Sequence, residues 1–221
     1  VSDLPAPLLA RLRAVAEARA TSEPAHDFLH VLRVTASAER IGEREGARLD
    51  VVVPAALLHE LFNYPKGHPE SPRSGEVCAE HARAVLLAEG CAETLVDAVA
   101  TCIREHPFSR GITPATIEGK VLQDADRLDA IGAIGIARCM ATCAEMKRPF
   151  YSREDPFCRA RAADDKAWGI DHFYTKLLRI PDALHTETAR AIAVERVNAM
   201  TGFLAQLARE IGAAAPPPAG S

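Results

Sequence analysis

The segment Val51–Phe62, VVVPAALLHELF, narrows most sharply what this chain can fold into. Apolar side chains fill almost every position, so a helix here has no face suited to water and must be packed on all sides. Its β-like beginning, Val51–Val53, runs into Pro54, which argues for the start of a helix rather than a strand. A fully buried helix needs amphipathic partners around it, and the rest of the chain supplies them. Phe28, Val31, Leu32, Thr35, Ala38 and Ile41 recur at i, i+3, i+4 spacing, with Ser22 and Pro24 marking a helix start before them. Thr113–Pro114 reads as an N-cap followed by proline at the first helical position, opening a helix that runs through Asp126. Ala189, Ile192, Ala193, Val197, Met200, Leu204, Leu207 and Ile211 form a long stripe that stops at Gly212. No other segment has strand character, and the expectation is an all-α, single-domain protein.

Within the 221 residues this reading places an N-terminal helix (1–21) on a helical domain (22–212), followed by a disordered tail (213–221, AAAPPPAGS). Two irregular stretches interrupt the helices. Asn63–Gly75, NYPKGHPESPRSG, is a proline-rich polar loop of the kind that more often serves function than idles. The stretch from Lys147 to Gly169 is charged and aperiodic, and reads as a solvated connection rather than a lid. With 26 Lys plus Arg against 30 Asp plus Glu, and 5% aromatic residues, nucleic acid polymers and anionic membranes are disfavoured as main partners. No stretch approaches the ~20 apolar residues a bilayer span needs. The six cysteines show neither finger spacing nor a Cys-x-x-Cys pair, which points to a reducing, cytoplasmic compartment.

Polar residues set against the apolar pattern carry the chemistry. His59 and Glu60 sit at the end of the buried helix, where an ionised carboxylate is costly unless a cation or strong donors compensate it. Asp124, Asp126 and Asp129 interrupt the apolar run VLQDADRLDAIGAIGIA, and Gly132 and Gly135 there suggest close helix packing. His30 lies on the striped helix HDFLHVLRV. Taken singly, His30 reads as a core histidine and Asp126 as a partner for Arg127 or Arg138. A His followed by an acid is expected about once by chance in such a composition, and His26–Asp27 is a second case. Taken together, these residues on different apolar helices would all be satisfied by one buried cation.

The segments HDFLHVLRV, AALLHELFN and TIEGKVLQDADRLDAIGAIGIAR, in this order, resemble the HD-domain phosphohydrolase superfamily. DHFYTKLL and HTETAR extend the resemblance to small bacterial HD hydrolases over residues 22–210. It implies that His30, His59, Glu60 and Asp126 hold a divalent metal. The family's second motif is His-Asp, whereas this chain has His59–Glu60; the extra methylene adds roughly 1.5 Å of reach. Two imidazoles and two carboxylates without a thiolate suit Mn²⁺, Fe²⁺, Mg²⁺, Ni²⁺ or Zn²⁺ and select none of them.

The implied reaction is metal-dependent hydrolysis of a small phosphorylated metabolite, with nucleotides favoured by the resemblance alone. Phosphoryl transfer needs cations on the non-bridging oxygens, and Lys66, in the loop after Glu60, is the first candidate. His106, in IREHPFSRG, falls where the family also has a histidine; it would protonate the leaving oxygen or touch phosphate. The bland alternatives are a solvated loop lysine and a helix-end histidine favoured by the dipole. Arg33 and Arg127 read as ion-pair partners, and Asp124 and Asp129 as residues that orient or pack helices. Two rival functions use the same residues. A di-iron oxygenase would recruit His68, His81 and His106 to a second metal, and a silent regulatory protein would keep binding but not turnover.

Overall fold

The fold is seen in a computed structural model that describes residues 4–21, 27–65, 67–107 and 111–217. Among these residues every regular element is helical and no strand occurs. The helices are α1 (Ala6–Arg19), α2 (Phe28–Glu45), α3 (Leu49–Leu58), α4 (Ser74–Ala88), α5 (Glu93–Glu105), α6 (Ile117–Asp129), α7 (Gly132–Glu145), α8 (Asp171–Thr175) and α9 (Glu187–Glu210). Short 3₁₀ turns precede α4 at Ser71–Arg73 and follow α8 at Leu177–Ala183. None of the helices is long and apolar enough to cross a membrane.

The chain divides into two compact units. The first comprises Val1–Asp126 and His185–Thr188, and the second Arg127–Leu184 and Ala189–Ser221. In the first unit α3 is the central helix, packed against α1, α2 and α5. All of Val51–Leu58 is buried, which is why this helix needs no polar face. Its helix begins at Leu49, so Pro54 lies inside it rather than at its start. Proline is tolerated in the first turn of a helix but further in removes an intrahelical hydrogen bond; here the helix is buried against three others despite that defect.

Two helix starts differ from the sequence expectation. Ser22 and Pro24 lie outside the described residues, and the cap of α2 is Asp27, whose carboxylate accepts the His30 N–H at 2.9 Å. α6 opens at Ile117, not at Thr113–Pro114. Thr116 supplies the capping hydroxyl, accepting the Gly119 N–H at 3.1 Å. Pro114 instead packs over Gly119, where an added Cβ would lie 2.8 Å from the proline ring.

The second unit is built around Leu128, Ile131, Phe157, Ile170, Phe173 and Met200. The stretch 147–169 is irregular and largely exposed or part-exposed, but it is not purely solvated. Phe157 is fully buried, and Asp155 accepts the backbone N–H groups of Arg159, Ala160 and Arg161. Those three donors hold its carboxyl below the usual range. Arg161 spans the buried Asp171 in a two-pronged ion pair at 2.5 and 2.8 Å and lies over the Trp168 ring. Low hydrophobic periodicity therefore hid a segment ordered by charge and backbone hydrogen bonds.

At the start of α7, Gly132 has a φ of 79° and sits against the Arg196 side chain. A Cβ on Gly135 would lie 2.2 Å from the Ala130 carbonyl oxygen, which is backbone and cannot turn aside. Gly135→Ala is expected to destabilise the protein by about 2–4 kcal/mol through this overlap. Urea denaturation measures it; a change within experimental error would show that the backbone there shifts freely.

Candidate metal centre

His30, His59 and Glu60 bring ligand atoms within 4.8 Å of one another, the one such group of three among the described residues. His30 reaches the centre from the first turn of α2, where the Asp27 cap accepts its backbone N–H. His59 is the C-cap of α3 and Glu60 lies in the turn beyond it. The chain leaves the helix at this point, and the turn aims both side chains. Asp126, on α6, joins through His30, with its Oδ1 3.5 Å from His30 Nε2, while Glu60 Oε1 lies 3.9 Å from the same nitrogen.

The two imidazoles define the centre. His59 donates its Nδ1–H to the Ala56 carbonyl at 2.7 Å, so its Nε2 carries the lone pair. That nitrogen faces His30 Nε2 at 3.3 Å. Ligands about 2.1 Å from one ion and 90–109° apart stand roughly 3.0–3.4 Å from each other. Two nitrogens at this spacing, with carboxylate oxygens converging on them, fit a single divalent cation. Both rings are buried, whereas Asp126 is 26% exposed, leaving an approach from its side.

His106 packs edge-on against His59, with ring centroids 5.3 Å apart. Its Nδ1–H donates to the Ile103 carbonyl at 2.6 Å, which leaves Nε2 to act. It is buried beside the centre and is not a surface helix-end residue. Lys66 lies outside the described residues. His68 and His81 do not join His106 as a donor group: His68 stacks on Tyr64 in the loop, and His81 packs against Phe62. Arg138 pairs with Asp129 at 3.0 Å rather than with Asp126, and Arg127 donates to the Ala183 carbonyl.

Three residues support the site; Asp124 reads from the sequence as orienting or packing helices, whereas Cys78 and Gln123 are not legible as such. Cys78 on α4 lends its thiol to the His59 and Leu58 carbonyls at 3.1 and 3.4 Å, satisfying the end of α3. Burial pushes that thiol up to about 12, so it stays a neutral donor. Gln123 is wholly buried, with its amide NH₂ within 3.1–3.3 Å of the Glu105, His106 and Ile112 carbonyls. Its oxygen accepts from His185 Nε2 at 2.6 Å. Asp124 accepts from the His185 and Thr186 N–H groups and from the Thr186 hydroxyl. A polar residue in an apolar run was the available signal; the partners it found are remote in sequence.

Gln123→Leu strands carbonyls and a histidine nitrogen, and is expected to cost about 2–4 kcal/mol by urea denaturation. Desolvation lowers the His59 pKa from 6.5 to about 4, with His106 and His30 acting in the same direction and Glu60 and Asp126 opposing. The unfolded chain therefore takes up a proton between pH 6.5 and 4 that the folded chain refuses. Stability of the chelator-treated protein should fall as pH drops through that window, by up to about 3 kcal/mol. Denaturation curves at pH 7, 5.5 and 4.5 test this, and His59→Gln should flatten the dependence.

Comparison with known proteins agrees with this architecture. The family model described as the HD domain matches residues 27–131, which contain His30, His59, Glu60 and Asp126. YpgQ of Bacillus subtilis is 37% identical over 190 residues, covering 84% of each chain. The crystal structure of Bacillus subtilis YpgQ in complex with ADP superposes with a TM-score of 0.72 at 34% identity, over 92% of this chain and 97% of that one. An HD-superfamily hydrolase from Bacillus thuringiensis gives a TM-score of 0.72 at 29% identity, over 94% and 96% of the two chains. The order of motifs, the helical architecture and these likenesses place the chain in the HD-domain phosphohydrolase superfamily, to which it belongs.

Proposed function

We propose that this hydrolase is a metal-dependent phosphohydrolase acting on a small phosphorylated metabolite, with a nucleotide as the substrate class. The observation that carries the reading is the 3.3 Å approach of two buried Nε2 atoms, flanked by carboxylates at 3.5 and 3.9 Å. In this reading His30, His59, Glu60 and Asp126 hold one divalent cation. Bound there, the cation supplies Lewis acidity toward phosphoryl oxygens and acidifies attacking water. The nucleotide class is supported by the ADP complex of the YpgQ neighbour.

The protein's own groups would supply orientation and protons. The Ala56 carbonyl fixes the His59 ring and its tautomer, so the same nitrogen always faces the centre. Glu60 and Asp126 stay acceptor-only when ionised and offset the positive charge of the cation. His106, anchored through Nδ1, holds a proton at Nε2 for the leaving oxygen when protonated. Burial of the two histidines excludes bulk water from one side of the reaction. Lys66 is proposed to steady the non-bridging oxygens.

Metal analysis of the purified chain by mass spectrometry, followed by phosphate and pyrophosphate release from a nucleotide panel with each divalent ion, tests the reading. One metal per chain and metal-stimulated release are expected. His59→Ala and Asp126→Ala should each remove tightly held metal and lower turnover at least 10²-fold. Full activity in either variant would sink the proposed site. Glu60→Asp should retain metal if the longer side chain is a tolerated variant of the motif; complete loss would show a pocket built around glutamate.

A further inference from the structure

The loop that follows Glu60 carries an aromatic face that the metal centre does not use. The Tyr64 and His68 rings stack with centroids 4.7 Å apart and planes only 10° from parallel. Phe62 meets Tyr64 edge-on at 4.8 Å and also packs against His81 at 5.4 Å. The stack is pinned at both ends. The Tyr64 N–H donates to Ser74 Oγ at 3.1 Å, and the Glu70 N–H donates to His68 Nδ1 at 3.1 Å. His68 N–H and Ser71 Oγ both donate to the Pro65 carbonyl, closing the loop on itself.

An exposed loop imidazole ordinarily turns freely. His68 is exposed, yet stacking on one side and a hydrogen bond at Nδ1 hold its plane. Tyr64 covers one face of a ring that is otherwise exposed. Tyr64 follows Glu60 by four residues, so chain geometry keeps their Cα atoms within about 14 Å. A nucleotide with its phosphates at the metal centre has its base at a comparable distance. A fixed aromatic surface at that reach has already lost the rotamer freedom that binding would otherwise remove.

We propose that Tyr64 and His68 form a stacking platform for the base of a nucleotide whose phosphates lie at the His30–His59–Glu60–Asp126 centre. The inference rests on the nucleotide reading above and deepens it by assigning the base a site. Stacking uses the π-face that every base shares, so the platform distinguishes nucleotides from non-aromatic phosphates and discriminates weakly among bases.

Calorimetric titration of the full chain with Mn²⁺ present, using ADP and inorganic pyrophosphate as probes, tests it. The proteins compared are the unaltered chain, His68→Ala, His68→Phe and Tyr64→Leu, each checked for native melting. His68→Ala should weaken ADP binding on the order of tenfold and leave pyrophosphate unchanged. His68→Phe, which keeps a ring to stack, should restore ADP affinity. Equal weakening of both probes in His68→Ala would make these residues supports of the loop and overturn the platform. So would unchanged ADP affinity in His68→Ala and Tyr64→Leu, with the nucleotide reading left standing. An unaltered chain that binds pyrophosphate as tightly as ADP also overturns it, and one that binds neither removes the nucleotide reading and the platform together.

Discussion

The structure of the first unit depends on two imidazoles held 3.3 Å apart in an apolar interior. A buried polar ring destabilises a fold unless each nitrogen has a partner. For His59 the Ala56 carbonyl satisfies one nitrogen, and the other is committed to the space it shares with His30. That commitment couples the register of α2 to that of α3, which pack against each other. The Asp27 cap sets where α2 starts, and the Cys78 thiol closes off the carbonyls where α3 stops. Helix ends, not helix interiors, therefore aim the donors.

α6 shows how little sequence is needed to carry several roles. Successive helical positions diverge by about 100°, so near neighbours face different surroundings. Gln123 turns to the carbonyls at the end of α5, Asp124 to the His185–Thr186 backbone, and Asp126 to His30. The first two are wholly buried and fully engaged, and the third keeps partial exposure. Satisfied polar groups of this kind fix the geometry of their neighbours, since moving one would strand several partners at once. The positioning of the His106 backbone is one such dependency.

Much of this was legible in the residues. The apolar girth of Val51–Leu58 announced a central helix, and the stripe from Ala189 to Ile211 announced the long last one. His30, His59, Glu60 and Asp126 stood out because each broke an apolar pattern; the first three gather their ligand atoms in one place, and Asp126 approaches His30. Other features were misread for physical reasons. Thr113–Pro114 has the chemistry of a helix start, but Thr116 captures the Gly119 N–H and the helix opens there. The charged stretch 147–169 lacks hydrophobic period, yet Asp155 and Asp171 order it through donors up to ten residues away. His106 looked able to sit at the surface, whereas packing against His59 buries it.

By itself the sequence determined the helical class, the central buried helix and the identity of the polar residues that need compensation. These follow from periodicity and from the cost of burying charge, which are local properties of the chain. Only the tertiary structure decided how the turn at His59–Glu60 aims both side chains at His30, and that His106 joins the histidine pair. It also decided that Gln123 and Asp124 tie down distant backbone, and that Tyr64 and His68 stack. Each of these depends on which partner a polar or aromatic group meets across tens of residues. Spacing along a helix or loop does not encode that choice; the mutual packing of the helices does.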